Sequence, residues 1–139
     1  MKHLHQLRVR FNECDPNGHA SNISYVTYLE VARIQFFTDI GHTIDPKGKN
    51  FVLATTTIDY LSQAKFNQLL TITTQIEKIG TKSFVIVNEI LDAESEKPIA
   101  RGKSVMVYFD FQRNQSEPLL DDLRSKLTEY LAEESGTYP

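Results

Sequence analysis

Cys14-Asp15-Pro16-Asn17-Gly18-His19 runs through Ala20 and Ser21 into Asn22-Ile23-Ser24-Tyr25-Val26-Thr27-Tyr28-Leu29-Glu30-Val31-Ala32-Arg33, an acidic turn leading into a nearly all-apolar stretch. Pro16 fixes φ near −65° and Gly18 admits φ > 0, so Asp15 and His19 sit on a constrained turn. The backbone N–H groups that open the following helix carry the positive end of its dipole, roughly half an elementary charge. A carboxylate and an imidazole beside such a terminus suit a reaction that develops an oxyanion. An ordinary N-cap at Ser21 or Asn22 uses the same residue types and is the commoner event. Spacing alone leaves both readings open.

Downstream of the turn, Ile23, Val26, Leu29, Ala32, Phe36 and Ile40 recur at helical spacing. Tyr25, Tyr28, Val31, Ile34 and Phe37 widen the stripe most of the way round, which predicts a largely buried helix from about 22 to 40. Glu30 and Arg33 can pair at i, i+3 on its remaining polar side, and Gly41 is a plausible stop. Upstream, Leu7, Val9 and Phe11 alternate with Gln6, Arg8, Arg10 and Asn12, the pattern of a half-buried strand.

His42 to Asn50, with Pro46 and Gly48, reads as a loop. Period-two patterns then predict a strand through Val52, Ala54, Thr56, Ile58 and Tyr60 and another through Leu70, Ile72, Thr74 and Ile76, closed by Gly80. Further strands run from Phe84 to Leu91 and from Ile99 to Phe111. From Ser116, with Pro118 in the first turn and Leu120, Leu123, Leu127 and Leu131 in register, the tail reads as an amphipathic helix. A helix apolar most of the way round needs a surface that wraps it, and a twisted antiparallel sheet supplies one. The expectation is a single α+β domain over 1–139: a five-stranded antiparallel sheet around a long central helix, plus a C-terminal helix.

At 139 residues, 40% hydrophobic and 24% charged, the chain is sized for one soluble domain. No apolar run reaches the length of a membrane span and Met1–Gln6 lacks a signal-peptide core, so a cytoplasmic location is expected. A net charge of −3 argues against a nucleic-acid partner. Cys14, the sole cysteine, excludes an internal disulfide. As the end of a strand it is expected to face away from Asp15, and it reads as an inert thiol. His3 and His5 share one strand face but lack a third ligand, so a solvated face is expected and no metal. Lys65, Lys82, Arg101, Lys103 and Arg113 are candidates for the phosphates of an acidic ligand.

The pattern Asp-x-x-Gly-His-x-x-Asn-x-x-Tyr-x-x-x-x-Glu-x-x-Arg, here Asp15, Gly18, His19, Asn22, Tyr25, Glu30 and Arg33, resembles the hotdog-fold acyl-CoA thioesterases of the 4-hydroxybenzoyl-CoA thioesterase type, which include the YbgC-like enzymes. Ile58-Asp59-Tyr60-Leu61, Ile79-Gly80-Thr81-Lys82-Ser83 and Val105-Met106-Val107-Tyr108-Phe109-Asp110 extend the resemblance over nearly the whole chain. Where the family often has Gly-Asp, this chain has Asn67-Gln68, and Asn67 tolerates the φ > 0 that such a turn needs.

The resemblance implies hydrolysis of an acyl-CoA thioester, with Asp15 as the catalytic carboxylate. The oxyanion hole would be backbone N–H nearest Asn22, and His19 and Asn22 would be polar neighbours of the thioester. Gly18, Tyr25, Lys82 and Ser83 are expected beside the substrate. Coenzyme A would be part of that substrate and no separate cofactor is implied. A homodimer or homotetramer is implied too, joined through the edge strand from about Val52 to Leu61. A hotdog protein that binds an acyl ligand without hydrolysing it is the alternative.

Overall fold

The computed structural model describes residues 1–42, 45 and 47–133. Its elements are β1 (His3–Arg8), α1 (Asn22–Asp39), β2 (Lys49–Tyr60), β3 (Leu69–Ile79), β4 (Ser83–Asp92), β5 (Pro98–Asp110), β6 (Gln115–Ser116) and α2 (Asp121–Thr128). The strands form one antiparallel sheet in the order β1-β3-β4-β5-β2. The sixth, two-residue strand β6 returns along β5 after a tight reversal in which Asn114 adopts φ 54°. Sequence pattern misses β6 because two residues are too few to show a period.

Because β1 and β2 occupy opposite edges, the connection between them carries α1 across one face of the sheet. The helix buries Tyr25, Tyr28, Leu29, Ala32, Arg33, Phe36 and Phe37. Leu29 seats against the backbone of β5: a Cβ at Gly102 would lie 2.6 Å from Leu29 Cδ1, so the glycine is what lets helix and sheet approach. Gly41 at φ 88° ends the helix, its N–H donating to Thr38 O while His42 N–H donates to Phe37 O.

The expectation of a helix buried most of the way round fails on its outer face. Ile23, Val26, Val31 and Ile34 are exposed, Ile23 at 78%. The sheet covers one side only, and apolar periodicity cannot tell a side that meets this chain's own sheet from a side that does not. Arg33 is also not on a polar side with Glu30. It is 5% exposed, with Nη1 donating to Ser104 Oγ at 3.4 Å, and its burial lowers the guanidinium pKa.

Three other expectations need correction. The first strand keeps odd-numbered residues inward through Val9 but stops at Arg8; Phe11 falls in a 3-10 turn, Phe11–Glu13, and is 80% exposed. His3 is no solvated residue: it is buried against the edge of Phe36, with Nε2 2.7 Å from Asp39 Oδ2, tying β1 to the end of α1. In the tail, Pro118 precedes rather than opens α2. Residues 117 and 119 instead run extended, donating to Tyr108 O and Thr81 O, and Leu119 enters the core. The loop position Pro46 and residues 134–139 of the expected domain lie outside the described residues.

Candidate active site

The acidic turn is built as a small hairpin. Asp15 N–H donates to His19 O at 2.8 Å, Cys14 bridges Ala20, and Ser21 N–H donates to Glu13 O at 3.0 Å. The second arm has another neighbour on its far side: Ala20 N–H donates to Ala64 O and Phe66 N–H to Gly18 O, with His19 bridged to Lys65. Residues 18–20 are thus the centre of a three-chain ribbon. Gly18 at φ 78° makes the reversal.

Within this ribbon the Asp15 carboxylate is oriented by its own turn. Its Oδ1 accepts from Asn17 N–H at 2.9 Å and His19 N–H at 3.2 Å, an Asx-type arrangement. Among the described residues Oδ2 has no hydrogen-bond partner, so one carboxylate oxygen is fixed and the other is available. The His19 ring and the Asn22 side chain likewise carry no hydrogen bond within the described residues. The structure brings Asp15, Gly18, His19 and Asn22 together around one turn.

Ser21 is the N-cap residue of α1, yet its side chain does not cap. Ser24 Oγ donates to Glu13 O at 2.7 Å, so in the 3.1 Å contact between the two hydroxyls Ser21 is the donor. Ser24 N–H donates to Ser21 O. The N–H groups of Asn22 and Ile23 have no acceptor among the described residues, and both residues are exposed. An ordinary cap would consume a first-turn donor through its side chain, and at Ser21 none is consumed in that way.

Tyr25 lies beneath the ribbon rather than at its surface. It is 3% exposed, and its Oη accepts from Ala64 N–H at 2.9 Å, fastening the helix to the 62–68 loop. Burial raises its hydroxyl pKa, the Ala64 bond opposing, with smaller contributions from Tyr60 and Asp15. Sequence reasoning missed the residue that holds the other arm, Glu13. Its Oε1 accepts from Tyr28 Oη at 2.9 Å and Arg10 N–H at 2.8 Å, while its carbonyl accepts from Ser21 and Ser24. Burial and this carboxylate push the Tyr28 hydroxyl well above the usual tyrosine range. No spacing rule joins residues 13 and 28, because a 3-10 turn and a hairpin intervene.

Lys82 and Ser83 are not brought to Asp15 within one chain. They form the β3–β4 reversal, where Gly80 N–H donates to Ser83 O and Arg124 Nη2 donates to Gly80 O. The 11-residue β3 separates that end from the 62–68 loop, about 36 Å at 3.3 Å per residue. Of the other cations singled out from sequence, Arg101, Lys103 and Arg113 lie within 4.0 Å of Glu89, Glu77 and Asp110. Lys65 has no such partner among the described residues. Cys14 is half-buried against the core, its Sγ 3.5 Å from Arg10 O.

Residues 9–127 match the model of the thioesterase-like superfamily. FadM of Escherichia coli, named a long-chain acyl-CoA thioesterase, is 28% identical over 125 residues, 88% of this chain and 94% of its own. YsmA of Bacillus subtilis, whose function is uncharacterized, is 27% identical over 126 residues, 89% of this chain and 84% of its own. The structure of a predicted thioesterase from Bacillus stearothermophilus superposes with a TM-score of 0.88 at 30% identity, covering 97% of this chain and all of that one. A match over that span, a hotdog-type sheet with its helix laid across, and an acidic turn at the helix start agree: the chain belongs to the thioesterase-like superfamily.

Proposed function

We propose that the protein hydrolyses an acyl-CoA thioester to a free carboxylic acid and coenzyme A. A thioester carbonyl is more electrophilic than an ester carbonyl, and its thiolate, with a pKa like the roughly 8.5 of a free thiol, leaves with little acid assistance. The site therefore has two tasks: to stabilise the carbonyl oxygen as it becomes an oxyanion, and to supply or activate a nucleophile. The unpartnered N–H groups of Asn22 and Ile23, at the positive end of the α1 dipole, suit the first. The free Oδ2 of Asp15 suits the second, by direct attack to give a mixed anhydride or by accepting a proton from water. The single observation that carries this reading is the open helix start beside a half-engaged carboxylate. The name of FadM supports the acyl-CoA class.

Assembly belongs to the same reading. β2 is a free 12-residue edge, and α1 leaves Ile23, Val26, Val31 and Ile34 exposed nearby. Antiparallel pairing of β2 with its copy about a two-fold axis would cover that edge. It would also carry the Lys82–Ser83 end of the second copy to the end of the joined sheet where Asp15 lies. A dimer or a tetramer is expected by light scattering at micromolar concentration, and a monomeric mass contradicts it.

Thiol release from a panel of acyl-CoA substrates tests the function. Release above the uncatalysed rate is expected for at least one acyl class. Tight binding of acyl-CoA with no thiol released from any of them would make the protein a binding module instead.

A further inference from the structure

Beside the ribbon, between the 62–68 loop and the 92–97 turn, lies a cleft of about 540 Å³ that none of Asp15, His19 or Asn22 lines. Its chemistry is one-sided. Asp92 is its only lining carboxylate, and it is engaged: Oδ1 accepts from Gln68 Nε2, and Oδ2 from Glu94 N–H, Ser95 N–H and Ser95 Oγ. Gln68 is engaged at both ends, its Oε1 accepting from Lys65 N–H. Glu94 and Glu96 belong to the same turn but do not line the cleft. What remains open are the ammonium groups of Lys65 and Lys97, neither with a carboxylate in ion-pair range among the described residues, and the side-chain amides of Gln63 and Asn67. One wall is Phe66, 52% exposed and held edge-to-face by the still more exposed Phe11 at 5.9 Å.

Two unpaired cations, two amides and a half-exposed aromatic ring, on a chain of net charge −3, form a receptor for an anion that carries a flat or apolar part. The 62–68 loop also hydrogen-bonds directly to residues 18–20, so the cleft adjoins the turn that carries Asp15. We propose that the cleft holds the nucleotide end of coenzyme A, with Lys65 and Lys97 on its phosphates and the Phe66 ring against its base. The identity of the ligand rests on the acyl-CoA reading; the cleft's preference for a phosphorylated nucleoside does not.

Two measurements on the intact protein test it. Adenosine 3′,5′-bisphosphate, titrated calorimetrically, is expected to bind the wild type and to lose at least tenfold in affinity in the Lys65→Ala/Lys97→Ala double variant, the loss of one or two charge-assisted hydrogen bonds being worth about a factor of ten or more. Equal binding by the two proteins, or none by the wild type, overturns the proposal. In steady state the double variant should raise the KM for acyl-CoA relative to that for the matching acyl-N-acetylcysteamine thioester, which lacks the nucleotide, by about tenfold or more. Equal rises for both overturn the assignment, as does an equal rise for the same acyl group on acyl carrier protein, which would place the phosphopantetheine phosphate rather than the nucleotide in the cleft. If the wild type cleaves no thioester, the catalytic reading falls while the titration still decides the cleft.

Discussion

The two ends of α1 differ in what they leave unsatisfied. At the C-terminal end, Phe36, Phe37, Phe51, Phe84 and Tyr108 interlock with Leu119 and Leu127, Gly41 closes the last turn, and His3 clamps Asp39. At the N-terminal end, Asp15 and His19 of the acidic turn stand beside two backbone N–H groups that find no acceptor among the described residues. The first end is arranged as a core. The second holds its polar atoms in place through Glu13, Tyr25 and Tyr28 while keeping Asp15 Oδ2 and the helix start open. A second buried cluster, with Tyr25, Tyr28, Leu29, Ala64 and Ile72, underlies the open end, so its unsatisfied groups stand on a packed support, as reactive sites require.

That contrast can be broken by mutation, and the largest stability effect should come from the closed end. Phe36 is fully buried, so Phe36→Ala should cost about 3–5 kcal/mol in denaturant unfolding, with turnover per folded molecule little changed. Leu29, midway, should cost about 2–5 kcal/mol as Leu29→Ala. Gly102→Ala should destabilise the wild type by about 1–3 kcal/mol through overpacking and cost less in the Leu29→Ala background, where its new Cβ meets a hole. Equal costs in both backgrounds would show that the helix does not seat on β5 as described.

At the open end the expected stability effect is smaller and the functional one larger. Tyr25→Phe leaves the Ala64 N–H buried without its acceptor and should cost about 1–3 kcal/mol. It should also lower turnover, because the 64–66 segment that braces Gly18 loosens; unchanged turnover with lowered stability would confine Tyr25 to the core. The smallest effect concerns pH. Hydrogen bonds from His3 and then Gln35 hold the Asp39 carboxyl below the usual carboxylate range. A depressed folded-state pKa contributes stability that is present above the unfolded value, near 3.9, and is lost as pH falls through the folded one. The advantage of wild type over Asp39→Asn in denaturant midpoint should thus be present at pH 6 and shrink below pH 4.

Part of this contrast was legible in the sequence, for reasons that can be named. Asp15, Pro16 and Gly18 dictate the turn locally, and Asn67 takes φ 68°, the left-handed conformation that an Asn in a turn tolerates. The period-two runs gave four of the strands because each residue's face is fixed by parity. What escaped depends on contacts remote in sequence. Glu13 serves Tyr28 only once a 3-10 turn intervenes, and His3 meets Asp39 only because β1 lies beneath the end of α1. Arg33 looked like a surface partner for Glu30 because helical spacing reports a helix's own neighbours, not the sheet it faces. The cleft between the 62–68 loop and the 92–97 turn joins segments with no shared pattern at all.

The most direct test of the account is Asp15→Asn, which keeps the size of the side chain and an oxygen for the Asn17 and His19 N–H groups while removing both nucleophile and base. On the best acyl-CoA substrate, turnover should fall by roughly 10² to 10⁴, with affinity for a non-hydrolysable analogue and the unfolding midpoint close to wild type. An Asn variant that turns over at the wild-type rate would contradict the assignment of the chemistry to the open end of α1.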